Sequence, residues 1–115
     1  MFESRFKALG EPTRLNIIKL LSFKDLCVCE LEEIMQISQP RISQHLKVLK
    51  QSGLVKERKE GQRRVCSLNT ALLNNTMEEF MDYIAKPLQE IPELNEAYER
   101  LVDLDGESCT RKLKQ

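Results

Sequence analysis

Residues 38–54, SQPRISQHLKVLKQSGL, read as a short amphipathic helix with both ends marked. Ser38 is a good N-cap, because its hydroxyl can accept a backbone N–H that the first turn leaves unpaired. Pro40 falls in that first turn, where a missing N–H costs little. Ile42, Leu46 and Leu49 recur at helical spacing and form one apolar stripe. At 3.6 residues per turn, Arg41, Gln44, Lys47 and Gln51 lie away from it. Gly53 stands where a helix end favours a left-handed residue. One face therefore anchors, and the other offers amides, hydroxyls and cations. Asp and Glu make up 18 of 115 residues, yet none occurs from Ser38 to Lys56. That inventory suits base edges and phosphates; an ordinary solvated helix face is the alternative.

The preceding segments look like a platform for this helix. Phe2 to Leu9 is a short helical stretch with Phe2, Phe6 and Leu9 on one side, broken by Gly10. Glu11-Pro12-Thr13 opens a second helix. Leu15, Ile17, Ile18, Leu20 and Leu21 make it apolar on most sides as far as about Phe23, which places it at the centre of the core. Asp25 is expected to cap a third helix, Leu26 to Met35, with Leu31, Ile34 and Met35 facing inward. Gln36-Ile37-Ser38 is then a tight turn. A short helix, a turn and a polar-faced second helix make a helix-turn-helix.

The chain after Gly53 changes period. Leu54 to Lys59 and Arg63 to Leu68 have strand character around a Glu60-Gly61-Gln62 turn. This two-stranded ribbon carries Arg58, Lys59, Arg63 and Arg64 near its tip, as a wing that lies along a phosphate backbone or enters a minor groove would; a plain surface hairpin is the alternative. Asn69 or Thr70 caps a long helix to about Lys86, with Leu73, Met77, Phe80, Met81 and Ile84 in a wide apolar stripe. Pro87 ends it. A last helix, about Pro92 to Val102, shows Leu94, Ala97, Tyr98 and Leu101 at helical spacing. The expected fold is mainly α with a two-stranded β wing, a winged helix-turn-helix over residues 1–104 with a polar tail over 105–115. The last two helices hold more apolar surface than so small a core needs. A homodimer interface is the natural use, since it sets two reading helices one duplex turn apart.

Charge distribution supports this reading. The net charge is zero, but Gln39 to Cys66 holds eight Lys and Arg against two Glu, and Ser67 to Asp105 holds two against nine acids. A basic patch is the electrostatic footprint of phosphate binding, which the whole-chain sum hides. Hydrophobic content is 41 %, enough for a packed core. No apolar run approaches a membrane span and MFESRFKALG lacks the regions of a signal peptide, so a cytoplasmic location is expected. An enzyme is not: there is no CxxC, no His near a Cys, no phosphate-cradling Gly loop and no evident acid pair.

Four Cys in such a compartment point to thiols or metal ligands. Cys27 and Cys29 form a Cys-Val-Cys triplet. Positions i and i+2 lie about 200° apart on a helix, so both cannot easily be core residues. So short a ring is also a strained disulfide. In a loose first turn both thiolates can meet one soft ion; in a regular helix they diverge. Binding would then distort the third helix and, through Ile37 and Ser38, the reading helix. A helix N-terminus and Lys24 would lower the thiol pKa. Sulfurs locked in the interior, with Arg41 and Gln44 packed away from solvent, would contradict all of this.

The order ALGEPTRLNIIKLL, LCVCEL, SQPRISQHLKVLKQSGLV and a charged hairpin ending in SLN resembles the ArsR/SmtB family of metal-responsive repressors, from about Leu9 to Asn69. The resemblance implies a homodimer that sits on double-stranded operator DNA, an inverted repeat, and leaves when a metal or metalloid binds. It implies DNA contacts from Ser38, Gln39, Arg41, Ser43, Gln44 and His45, with Lys47 on the same exposed side and Arg63 and Arg64 from the wing. His45 also lies beside the apolar stripe, where a half-buried structural role is open. Cys27 and Cys29 become ligands for As(III) or Sb(III), the inducer, with no catalytic cofactor. The family's full arsenic box has a third Cys where this chain has Glu32; Cys109, or less readily Cys66, is a candidate third thiolate. A cadmium- or lead-responsive repressor and a thiol-redox switch are the alternatives on the same scaffold. With His45 the only His, the family's zinc site on the last helix cannot be built in its usual form.

Overall fold

The computed structural model describes residues 2–104. Its elements run α1 (Glu3–Leu9), α2 (Pro12–Phe23), β1 (Leu26–Cys27), α3 (Val28–Met35), α4 (Gln39–Gln51), β2 (Val55–Glu60), β3 (Arg63–Leu68), α5 (Thr70–Ala85) and α6 (Asn95–Asp103). Two 3-10 turns, Leu88–Glu90 and Pro92–Leu94, precede α6. The arrangement is the expected winged helix-turn-helix, mostly helical with a small antiparallel sheet. Packing divides the chain into two compact units, Met1–Phe80 and a second starting at Met81.

The stripe of α4 is fully used. Ile42, Leu46 and Leu49 are at most 1 % exposed and pack with Ile17, Leu21, Leu31 and Leu54. Each such side chain contributes roughly 1.5–3 kcal/mol by leaving water. Gly53, at φ 82°, closes the helix. Its N–H donates to the Lys50 carbonyl (3.0 Å) and the Leu54 N–H to the Leu49 carbonyl (3.1 Å), the two bonds of a Schellman end. At the other end Ser38 has N-cap backbone geometry, but its hydroxyl makes no capping bond.

Three expectations are corrected. Leu26 and Cys27 are not helical. They form β1, paired antiparallel with β3, so the sheet has three strands in the order β1-β3-β2 rather than two. The helix cap is Cys27, not Asp25, whose carboxylate instead pairs with Arg58 at 2.7 Å. Finally, α2 buries only Ile17, Ile18 and Leu21, leaving Leu15 53 % exposed, while α3 buries Val28 and Leu31 but not Ile34. A helix lying against one layer can cover only one side of its cylinder, whatever its other faces carry.

Asn69 joins wing to α5. Its side-chain amide donates to the Gly53 carbonyl, its Oδ1 accepts the Leu72 N–H, and its own N–H donates to the Leu54 carbonyl. Within the first unit, α1 packs on α5 through edge-to-face contacts among Phe2, Phe6 and Phe80, with ring centroids 5.2–5.8 Å apart. Arg5 reaches the buried Thr76 hydroxyl at 3.2 Å. In the second unit Gln89 donates to the Tyr98 hydroxyl.

Candidate functional site

The exposed face of α4 carries Gln39, Arg41, Gln44 and Lys47, with Ser43 half-buried and Ser38 exposed just before the helix. Among the described residues the side chains of Arg41, Gln44 and Lys47 make no hydrogen bond or ion pair with the protein. Gln39 donates to the Ser43 hydroxyl at 2.8 Å. His45 differs: its side chain is 18 % exposed, with Nδ1 3.6 Å from Glu11 Oε2 and 3.4 Å from Arg14 Nη1. Arg14 in turn donates to the Ala8 carbonyl at 2.6 Å. His45 thus ties α4 to the start of α2.

The wing arginines are engaged inside the molecule. Arg58 pairs with Asp25 and Glu60, each at 2.7 Å. Arg64 pairs with Glu57 (3.1 Å), whose other oxygen takes Lys50 at 2.9 Å. Arg63 Nη2 lies 3.1 Å from Glu30 Oε1. All three arginines remain about half exposed, so these contacts orient the side chains more than they stabilise the fold.

Cys27 and Cys29 come together at the start of α3. Cys27 is the N-cap, in extended geometry (φ −82°, ψ 162°), and so lies outside the helix that Cys29 belongs to. The 200° separation expected on a regular helix does not apply, and the two Sγ atoms are 2.7 Å apart. Cys27 is 2 % exposed and Cys29 is open to solvent. The cap is a capping box: the Cys27 sulfur faces the Glu30 N–H, and Glu30 Oε1 accepts the Cys27 N–H at 2.9 Å. Cys-x-x-Glu carries the spacing of that box, a local signal that favours Cys27 over Asp25 as the cap.

Electrostatics separates the two thiols. Burial pushes Cys27 up, but hydrogen bonds from Cys29, Arg63 and the Glu30 backbone outweigh it and leave the thiol below its ordinary value. Cys29 is raised, first by its bond with Cys27. The pair therefore loses its protons in two steps. Glu30 is held below the usual carboxylate range, first by the Cys27 N–H.

An open cleft of about 250 Å³ lies over the thiols, lined by Cys27, Cys29, Glu32, Gln39 and the wing residues Gln62, Arg63 and Arg64. Cys66 does not reach it. Directly paired residues share a sheet face: Leu26 pairs with Cys66 and faces the core, whereas Cys27 pairs with Val65. Cys66 is fully buried and its thiol pushed up to about 11 by that burial. Cys109 lies outside the described residues. Among the described residues no group of three or more His, Cys, Asp or Glu is arranged to hold a metal ion. No helix among them is long and apolar enough to cross a membrane.

Residues 11–57 match the family model described as "Bacterial regulatory protein, arsR family". The chain is 43 % identical over 82 residues to an arsenical resistance operon repressor of Staphylococcus xylosus, covering 71 % of each chain. It is 37 % identical over 81 residues to the transcriptional repressor SdpR of Bacillus subtilis (strain 168), covering 70 % of this chain and 90 % of that one. Among solved structures it is similar to an ArsR-like transcriptional regulator from Rhodococcus sp. RHA1, at a TM-score of 0.65, 26 % identity and 93 % coverage of both chains. With a helix-turn-helix whose polar face is open and relatives of this kind along most of its length, the chain belongs to the arsR family and is a helix-turn-helix transcriptional repressor.

Proposed function

We propose that this repressor leaves its operator when trivalent arsenic or antimony closes on Cys27 and Cys29. The observation that carries the reading is the convergence of the two sulfurs at one helix cap, one of them exposed to an open cleft. Soft thiolates select soft acceptors. With arsenite the exchange balances: two As–S bonds replace two As–O bonds, and the two thiol protons leave with the two hydroxides as water. The third position on arsenic keeps a hydroxide or takes a ligand from outside the described residues, where Cys109 is a candidate. The similarity to arsenical resistance operon repressors supports this choice of inducer.

On DNA, Gln44 and Ser43 of α4 meet base edges and Arg41 and Lys47 meet phosphates, with Ser38 and Gln39 at the helix start. Arg63 and Arg64 serve the wing. Each contact is of the type that the groove and backbone accept. A homodimer on an inverted repeat accounts for the exposed Met77, Phe80, Met81 and Ile84, and a cytoplasmic location fits a protein that meets DNA and keeps its thiols reduced. A gel shift on DNA upstream of the protein's own gene, with arsenite, antimonite, cadmium, lead and zinc compared, tests the reading. Release by arsenite and antimonite, abolished in Cys27→Ser/Cys29→Ser, is expected. Release that survives the double substitution removes the proposal.

A further inference from the structure

We propose that Glu30 and Arg63 carry the inducer signal from the thiol pair to the wing. This rests on the reading above, that a trivalent metalloid closes on Cys27 and Cys29. Gross unwinding of α3 is not required for that closure, because Cys27 already stands outside the helix and the sulfurs already converge. Closure changes the cap instead. The Cys27 sulfur is the acceptor side of the capping box, and a sulfur turned to arsenic gives up that position. The other side of the box is Glu30, and its Oε1 takes two donors at once: the Cys27 N–H at 2.9 Å and Arg63 Nη2 at 3.1 Å.

Arg63 opens β3, directly after the hairpin turn at Gly61 and Gln62. With Gln62 and Arg64 it lines the cleft that opens over the two thiols, where a ligand held by them would lie beside the wing. The ligand and the spoiled cap therefore act on one ion pair. A second route is continuous with it, since Cys27 is itself a strand residue paired with Val65 of β3. While the pair is intact it ties the first residue of β3 to the start of α3. Once it breaks, the β1–β3 ladder and the Arg58–Asp25 pair still hold the base of the wing, but the Arg63 end of β3 beside the turn is freed, and operator binding must re-order that end at an entropic cost. Stability is not at issue, because the pair is exposed; orientation is.

Glu30→Gln tests this. Its amide oxygen can still accept the Cys27 N–H, but the charge that holds Arg63 is gone. Three quantities are measured on full-length wild type and variant: thiols consumed by arsenite, operator affinity with and without arsenite by anisotropy, and hydrogen exchange of the β2 and β3 amides. In wild type, arsenite is expected to weaken operator binding at least about tenfold, within the usual range of coupling between sites, and to speed exchange in β3. Glu30→Gln is expected to lose the same two thiols to arsenite, yet to change operator affinity less than about threefold, its wing already exchanging as fast as that of the arsenite-bound wild type. Arg63→Gln is a second variant; because it also removes a DNA contact, only its ratio of affinities with and without arsenite is read, and that ratio too is expected below about three. Full arsenite-dependent release in either variant overturns the proposal, as does a wild-type wing whose exchange arsenite leaves unmoved. If wild type binds no arsenite through these thiols, the reading beneath it fails and the coupling with it.

Discussion

Replacing Cys27 separates the two jobs of its sulfur, a helix cap and a metalloid ligand. Cys27→Ala removes both. Loss of a cap acceptor costs about 1 kcal/mol, with a spread of roughly 0.5–2. For a domain of this size, about 1 kcal/mol lowers Tm by roughly 4–8 °C. Cys27→Ser removes only the ligand. A serine hydroxyl is among the best caps, and with Glu30 three residues on it completes the common form of the capping box. Cys27→Ser is therefore expected to melt above Cys27→Ala, since only the serine keeps a cap acceptor. Cys27→Ser, with the cap kept, is expected to bind operator as tightly as wild type, Cys27→Ala, with the cap spoiled, more weakly, and the affinity of both is expected to be unmoved by arsenite. The assay is a pair of thermal melts at one fixed protein concentration, because self-association would otherwise shift Tm, with operator anisotropy measured with and without arsenite. Cys27→Ser melting as low as Cys27→Ala would refute the cap. Cys27→Ser that still releases DNA in arsenite would refute the ligand.

Other outcomes follow from the same geometry. Gly53 and Gly61 both have positive φ, so an alanine at either costs about 1–2 kcal/mol of backbone strain, but only at Gly53 would the new Cβ meet a neighbour, 2.9 Å from Leu72 Cδ2; urea melts should rank Gly53→Ala the more damaging. Cys66 is raised to about 11 by burial, so the folded chain holds its proton more tightly than the unfolded chain does. That contribution is intact below the ordinary thiol value near 9 and fades as pH climbs from there through about 11, a decline that Cys66→Ala should flatten in chemical denaturation. Gln44→Ala should relax base preference at a cost of about 1–3 kcal/mol, whereas Lys47→Ala should weaken binding evenly across sequences and lower the salt slope by about 1 in competition titrations.

How far the site is legible differs residue by residue. The stripe of α4, its Gly53 end, the hairpin about Gly61 and the cap at Asn69 are each encoded within a few neighbouring residues, by spacing or by one side chain that suits one backbone geometry. The thiol pair is legible as a pair, but its geometry is not, because whether Cys27 begins a helix or ends a strand depends on β3, whose Val65 is its partner. The sequence places Arg58, Lys59, Arg63 and Arg64 near the tip of the wing but does not say which acids they meet. Arg58 and Arg63 meet Asp25 and Glu30, each 33 residues away in the chain, and no local pattern states that such charges will meet.

The amino-acid order alone determines which segments are helical, where the chain turns, and that one helix shows a face without carboxylates beside a basic hairpin, since these follow from short-range sterics and the 3.6- and 2-residue periods. The packing of distant segments decides the rest. It draws Leu26 and Cys27 into a third strand, strips α2 and α3 of part of their expected burial, turns His45 towards Glu11 and Arg14, and stitches the thiol cap to the wing through Glu30. The physical reason is that an extended dipeptide becomes a strand only when another edge offers it hydrogen bonds, and an exposed ion pair forms only where the fold has already brought its partners together.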